Sequence, residues 1–393
     1  ALEIPDSDKA RALMAQAPRL RVSVDGDYSV ISIECLSEKL GDALSAASDI
    51  IQSPLLSGMR IDHNKRTMAL LGRDREDDAS ETGHDAALGA FFRGQGCGGA
   101  IFGTAESLKR LEKKDVVAYY ERFFTKRGLF LSVCTDLDVS TVRMLLEKAF
   151  TKFGEGRSDE TGQGAPPVNP ENRRVTVQKE SKQTYVARAF ALPPVNACEY
   201  AKGYLLETVL GNGPGSRMWN LRVKDKLAYN VNARVTWMKA GGILEAYLET
   251  EKDNAEKAGP ALTAVLEELG RSGVTPEELA AAKILAKSRF LRTNEAKDMR
   301  AMSMGAFESL GLGAGFISGV FDALDAVTRN DLNGFIKKIL DPGMAVEITV
   351  GPATPDKQQS ASPGTISSPA FSLFRGTLSP RLGGEDGFPL SCR

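Results

Sequence analysis

Two segments of this chain, 216 positions apart, repeat each other without a gap: EKKDVVAYYERFFTKRGLFLSVCTD at 112–136 and TRNDLNGFIKKILDPGMAVEITVGP at 328–352. Asp115 aligns with Asp331, Tyr119 with Phe335 and Phe123 with Ile339, and in each copy a helix-period apolar pattern runs into a turn and then a short apolar run. A duplication of this kind constrains the fold strongly, because both copies must bury the same faces. Before these segments, each half also shows a short helix, a hairpin and two longer helices. The fold class expected is therefore α+β, as tandem duplicated domains, each a mostly antiparallel sheet covered by helices. The Gly/Pro/charged stretch GEGRSDETGQGAPPVNPENR at 154–173 is the natural boundary. It sets a first domain at 1–153, a linker at 154–173 and a second domain at 174–352. The aperiodic remainder, 353–393, is expected to be disordered.

Within the first domain, Asp6 or Ser7 is placed to cap a helix to about Gln16, and alternation on either side of Asp25, Gly26 and Asp27 predicts a β-hairpin. Helices are expected over Leu40 to Ile51, Met59 to Arg75 and 107–124, with Glu81 to Gly103 a glycine-rich irregular stretch anchored by Phe91 and Phe92. LFLSVC at 129–134 reads as a strand, and Asp138 caps a helix to Phe150. Within the second, strands are expected at 174–180, 184–191, 229–237, 243–249 and 345–350, with a Gly241-Gly242 turn. Helices are expected at 198–210, 254–271, 276–293, 297–309 and 328–339.

The most distinctive local sequence is GNGPGSRMWNLRVKDKLAYNV, Gly211 to Val231. Gly211, Gly213 and Gly215 with Pro214 cannot continue a helix, so a loop is forced there. Ser216 is placed to cap a short helix to about Lys226. Arg222 then sits near the end of that helix and Tyr229, seven residues on, opens a strand.

This unit resembles the second domain of the pitrilysin/insulinase-type zinc peptidases, in Ser216-Arg217-Met218 and in Leu227-Ala228-Tyr229. The resemblance covers about 1–352. It implies that Arg222 and Tyr229 bind the substrate backbone near the scissile bond, with the loop at Gly211, Gly213 and Gly215 close by. A guanidinium and a phenol suit that role, as donors to a peptide carbonyl or to the oxyanion formed from it. The bland alternative is a surface arginine and a core tyrosine.

Members that cleave peptides hold zinc through an HxxEH helix and a later glutamate. Here the only histidines are His63 and His84, and no HxxEH occurs. The position matching the later glutamate falls near Gly72, with Glu76 one turn away. Catalytic zinc needs about three protein ligands. No metal ligand and no catalytic residue is therefore assigned to this chain, and alone it is not expected to hydrolyse peptides. The resemblance implies a catalytically silent subunit of a heterodimeric zinc metallopeptidase, similar to the non-catalytic subunit of mitochondrial processing peptidase. It would bind peptide in a chamber shared with a homologous HxxEH-bearing partner that carries the zinc. Two alternatives stay open: a processed form of an active peptidase whose HxxEH segment preceded residue 1, and a scaffold similar to the core proteins of the bc1 complex.

Composition excludes several other classes. Fifty basic against 51 acidic side chains leave a formal charge of -1, giving no broad field for nucleic acid. No apolar run is long enough for a bilayer span, so no membrane insertion is expected. The N-terminus lacks the pattern of a signal peptide. A soluble or already processed protein results, with bacterial periplasm, cytoplasm and an organelle matrix all open. Five dispersed cysteines without a CxxC pair suggest neither a disulfide framework nor a zinc knuckle. GNGPG and the GQGCGG at 94–99 match no phosphate-loop pattern, and His84, Asp85 and Cys97 are discounted as a nucleophilic set.

Overall fold

The computed structural model describes residues 19–151, 166–171, 173–211 and 213–352. The expected first helix, most of the linker and the C-terminal stretch from 353 lie outside the described residues. Strands β1 (Arg19–Val24) and β2 (Ser29–Glu34) form the expected antiparallel hairpin, with Val24 paired to Ser29 and the Asp25 N–H donating to the Tyr28 carbonyl at 2.8 Å. Helices α1 (Leu40–Gln52), α2 (Gly58–Asp77), α3 (Ala79–Phe91), α4 (Ala105–Arg110), α5 (Lys113–Phe123) and α6 (Val139–Ala149) follow.

A five-stranded sheet then organises the remainder. Its strands are β3 (Arg174–Gln178), β4 (Gln183–Leu192), β5 (Asn230–Met238), β6 (Gly241–Glu251) and β7 (Val346–Gly351), in the order β3-β7-β4-β6-β5. Only the β3–β7 pair is parallel. Helices α7 (Ala197–Gly211), α8 (Trp219–Val223), α9 (Ala255–Ser272), α10 (Pro276–Thr293), α11 (Lys297–Ser309), α12 (Phe316–Ala326) and α13 (Arg329–Ile339) complete the described elements.

The sheet is covered on both faces. Val186, Phe190 and Leu192 of β4 enter the main core with Leu205 and Leu210 of α7, Leu262 and Leu266 of α9 and Phe335 of α13. The intervening residues Tyr185, Ala187 and Ala189 point the other way, where Ala87 and Phe91 of α3 and the adjoining Phe92 close a second core with Ile348 and Val350 of β7. That double burial explains why TYVARAFAL reads as a nearly continuous apolar run instead of alternating.

Several expectations are corrected. The stretch 81–103 is not irregular: α3 occupies its first part, capped by Asp78, whose carboxylate accepts from the Ser80 and Glu81 N–H groups at 2.8 and 3.0 Å. Gly83 and Gly98 mark close packing. A Cβ on Gly83 would lie 2.2 Å from the Tyr185 ring, so the glycine lets the helix sit on the sheet. The helix expected over 107–124 is two helices, because Asp115 accepts from the Glu112 N–H and starts a second one. Helix α12 arises where no element was expected. In the β5–β6 hairpin Met238 pairs with Gly241, so the turn is Lys239-Ala240 and the glycines begin β6. There a Cβ on Gly242 would meet the Thr236 carbonyl at 2.3 Å. Ser216 caps no helix: its hydroxyl donates back to the Gly213 carbonyl at 2.8 Å, and α8 starts only at Trp219.

The strand expected at 129–134 does not form. No helix or strand is assigned over 129–134, and no described strand lies beside it to complete a ladder. Its counterpart β7 is sandwiched between β3 and β4. Among the described residues the N-terminal part therefore carries helices and one hairpin, and the large sheet belongs to the C-terminal part.

Candidate functional site

The glycine-rich turn after α7 sets up the site. Gly211, the last residue of α7, has β5 directly against it: a Cβ there would sit 2.0 Å from the Ala233 nitrogen. Gly213 and Gly215 adopt φ of 82° and 93°, a region that L side chains rarely enter. The reversed chain bonds back onto α7, with the N–H groups of Arg217 and Met218 donating to the carbonyls of Val209 and Leu210 at 2.9 and 3.0 Å. Arg217 is spent on structure, its guanidinium meeting Glu268 at 2.7 Å and Glu278 at 2.6 Å. None of the three loop glycines lines the pocket described next.

Arg222 lies in α8, its guanidinium 5.0 Å from the centroid of the Trp219 ring. Buried Leu221 anchors the helix, and the Leu227 N–H donates to the Leu221 carbonyl at 2.9 Å, folding the chain toward β5. The Thr250 hydroxyl holds the Leu227 carbonyl at 2.5 Å, and the Tyr229 N–H donates to the Glu249 carbonyl at 2.9 Å. Tyr229 is thereby fixed at the edge of the sheet with its ring half exposed. Its hydroxyl donates to a carboxylate oxygen of Glu251, and that hydrogen bond, with the charge behind it, raises the phenol pKa above its ordinary value.

Arg222 and Tyr229 thus line one pocket of about 300 Å³, together with Lys226, Leu227, Glu251 and Asn254. The two residues expected to act together are brought together. Lys226 and Glu251 were not foreseen. Nothing in the spacing marks Glu251, which comes into reach only through the β5–β6 register.

A larger cleft of about 640 Å³ opens between α9 and the β3–β7 edge and carries Arg173, Arg174 and Arg188. It reads as structural. Glu347 bridges Arg174 and Arg188 at 3.0 and 3.4 Å, and the buried Arg188 guanidinium also donates to the Thr263 hydroxyl and the Ala187 carbonyl.

His84 belongs to a buried network between α3 and the sheet. Its Nδ1 lies 2.5 Å from the fully buried Glu245 carboxylate, which also meets Arg234 Nε at 3.3 Å and the Tyr185 hydroxyl at 3.4 Å. Arg234 continues to Glu81 at 3.4 Å, and Arg75 joins Glu81 and Asp85. This explains the one buried histidine as part of a charge network. His63 stands exposed on α2, and the Gly72 position is inside that same helix with Glu76 exposed. Among the described residues no three His, Cys, Asp or Glu side chains are grouped so as to hold a metal ion, and the residues present do not fit a catalytic zinc. No described helix is long and apolar enough to cross a membrane.

A mostly antiparallel sheet covered by helices defines an α+β protein, with Arg222 and Tyr229 lining one surface pocket. The comparisons with known proteins agree. Residues 110–285 match the family model described as the peptidase M16 inactive domain. The Helicobacter pylori protein named non-peptidase homolog YmxG is 24% identical over 330 residues, spanning 84% of this chain and 76% of its own length. The crystal structure of a peptidase M16 inactive domain from Pseudomonas fluorescens superposes with a TM-score of 0.77 at 18% identity, covering 89% of this chain and 84% of the other. A chain of complex III2 from Candida albicans superposes with a TM-score of 0.72 at 16% identity, covering 86% and 82%. The likeness is thus to the M16, or pitrilysin/insulinase-type, peptidases, over residues 110–285 in the family model and over most of the chain in these relatives, and no HxxEH occurs in the sequence.

Proposed function

We propose that this chain is a catalytically silent subunit of a heterodimeric zinc metallopeptidase, in which it helps to bind peptide in a chamber shared with a homologous HxxEH-bearing, zinc-carrying subunit. The observation that carries this reading is the convergence of Arg222 and Tyr229 on one pocket in a chain without HxxEH. The exposed Arg222 guanidinium lies 5.0 Å from the centroid of the Trp219 ring, a cation–π contact, and its N–H groups suit a peptide oxygen. The same reading divides the chain into two copies of one unit, 1–153 and 174–352, joined at 154–173. The loop glycines support it only indirectly, by setting the path into α8.

The test is reconstitution. The purified chain is mixed with candidate HxxEH-bearing homologues, and zinc-dependent peptide cleavage is measured. The expected result is cleavage that needs both chains and falls at least about tenfold with Arg222→Ala, as when a preorganised donor is lost, and falls also with Tyr229→Phe, which removes the phenolic oxygen held by Glu251. Cleavage indifferent to both substitutions refutes the reading. A second reading, a scaffold subunit, draws on the fold shared with the complex III2 chain. It predicts stable co-purification with a larger assembly and no peptide binding.

A further inference from the structure

The pocket that holds Arg222 and Tyr229 has a charge pattern of its own. Among the described residues Lys226 is the only non-glycine residue in the left-handed region, at φ 53°. An L side chain in that conformation is strained, and such strain persists where the surroundings enforce it and a role rewards it. Enforcement is visible on both sides. The Asp225 N–H donates to the Asn220 carbonyl at 3.1 Å and the Leu227 N–H to the Leu221 carbonyl at 2.9 Å, which leaves Lys226 at the apex between α8 and β5. Glycine would satisfy the backbone without strain, so the residue at this apex contributes by its side chain, which lines the pocket.

Arg222 and Lys226 face a single lining carboxylate, Glu251, and that carboxylate is engaged by the Tyr229 hydroxyl. Among the described residues neither cation forms an ion pair; Arg222 has only its contact with Trp219. Because Tyr229 spends its proton on Glu251, its oxygen presents a lone pair to the pocket. A ligand here meets two cationic donors and one phenolic acceptor.

We propose that this pocket selects peptides bearing a carboxylate, with Arg222 and Lys226 receiving the carboxylate and Tyr229, held by Glu251, accepting a peptide N–H. The carboxylate comes from an acidic side chain or from a free C-terminus. Glu251 is a positioning residue. This rests on the peptide-binding reading above and specifies the class of peptide.

Three labelled extended peptides of equal length test it by fluorescence anisotropy with the full chain. One carries a central Glu and an amidated C-terminus, the second Gln in its place, and the third is the Gln peptide with a free C-terminus. Two exposed charge contacts predict about fivefold tighter binding for the matching acidic peptide over the amidated Gln peptide. The preferred acidic peptide identifies the source of the carboxylate. The gain should shrink as salt rises from about 50 mM to about 500 mM. It should fall to about twofold in Lys226→Gln, where one of the two contacts remains, and be kept in Lys226→Arg; the salt series needs no variant and covers a failure of either to fold. Equal affinity for all three peptides overturns the proposal while leaving peptide binding intact. No binding of any peptide, or binding of the Gln peptide indifferent to Arg222→Ala, overturns the peptide-binding reading and this proposal with it.

Discussion

The buried Glu245 network makes the sharpest prediction about what joins α3 to the sheet. Glu245→Gln keeps the side-chain volume and removes the charge. The carboxylate is fully buried and meets His84, Arg234 and Tyr185. After substitution, one amide arm presents donor hydrogens into a site furnished with donors. Removing one member of a buried ion pair costs about 3–5 kcal/mol, because the remaining charge is left without its partner. Here the remaining charge is partly relieved: the Arg234 side chain is 26% exposed and keeps Glu81 at 3.4 Å. That argues for the lower end or just beneath it, about 2–3 kcal/mol. For a chain of this size the melting temperature should fall by roughly 2–4 °C.

The assay is urea unfolding followed by intrinsic fluorescence, on the wild type, Glu245→Gln, Arg234→Met and the double variant. If the unpaired guanidinium is the source of the loss, Arg234→Met should recover part of it in the Glu245→Gln background, with a coupling of at least about 1 kcal/mol. A Glu245→Gln chain within about 0.5 kcal/mol of wild type, or strict additivity, refutes the account of this network as a charge-balanced joint.

Other parts of the fold make narrower predictions. Gly83→Ala places a Cβ 2.2 Å from the fully buried Tyr185 ring and should cost about 1–3 kcal/mol in chemical unfolding, with part of the loss recovered by Tyr185→Leu. Asp331 accepts from the Thr328 hydroxyl and N–H in a capping box, which holds its carboxyl below the ordinary range. Asp331→Asn should therefore cost about 1 kcal/mol at neutral pH. Because the folded pKa is depressed, that difference should hold above about pH 4 and fade as the pH drops through the folded value; a constant difference down to strongly acid pH refutes it. Glu251→Gln should return the Tyr229 phenol toward about 10, read as the ultraviolet difference titration against Tyr229→Phe; an unchanged titration means that Glu251 does not hold the phenol.

The sequence was most legible where local chemistry and packing agree. The DGD turn, the Asp138 cap and the periodicity of 276–293 each yielded the observed element, because each element's ends are fixed by its own residues. The pairing of Arg222 with Tyr229 was legible for the same reason, as both lie on one short continuous path from α8 to β5. Helix α3 was hidden because Gly83 and Gly89 lower helix propensity in isolation, while the contact that rewards Gly83 comes from Tyr185, 102 positions away. Lys226 and Glu251 were hidden because a backbone angle and a strand register have no local signature.

The duplicated segments show most plainly what a sequence pattern leaves undecided. Both copies carry a helix followed by a short apolar run, yet Phe335 is 4% exposed where Tyr119 is 56% exposed. The helices themselves are alike: α5 and α13 span the same number of residues and each starts from a capping box. The difference lies in their neighbours. Helix α13 packs on α7, α9 and β4 and buries Leu332, Phe335, Ile336 and Ile339, whereas α5 buries none of its residues. Likewise, β7 has a strand on either side, while 129–134 has none among the described residues. Apolar periodicity states which face a segment offers for burial. Whether that face is buried depends on what the rest of the chain brings against it.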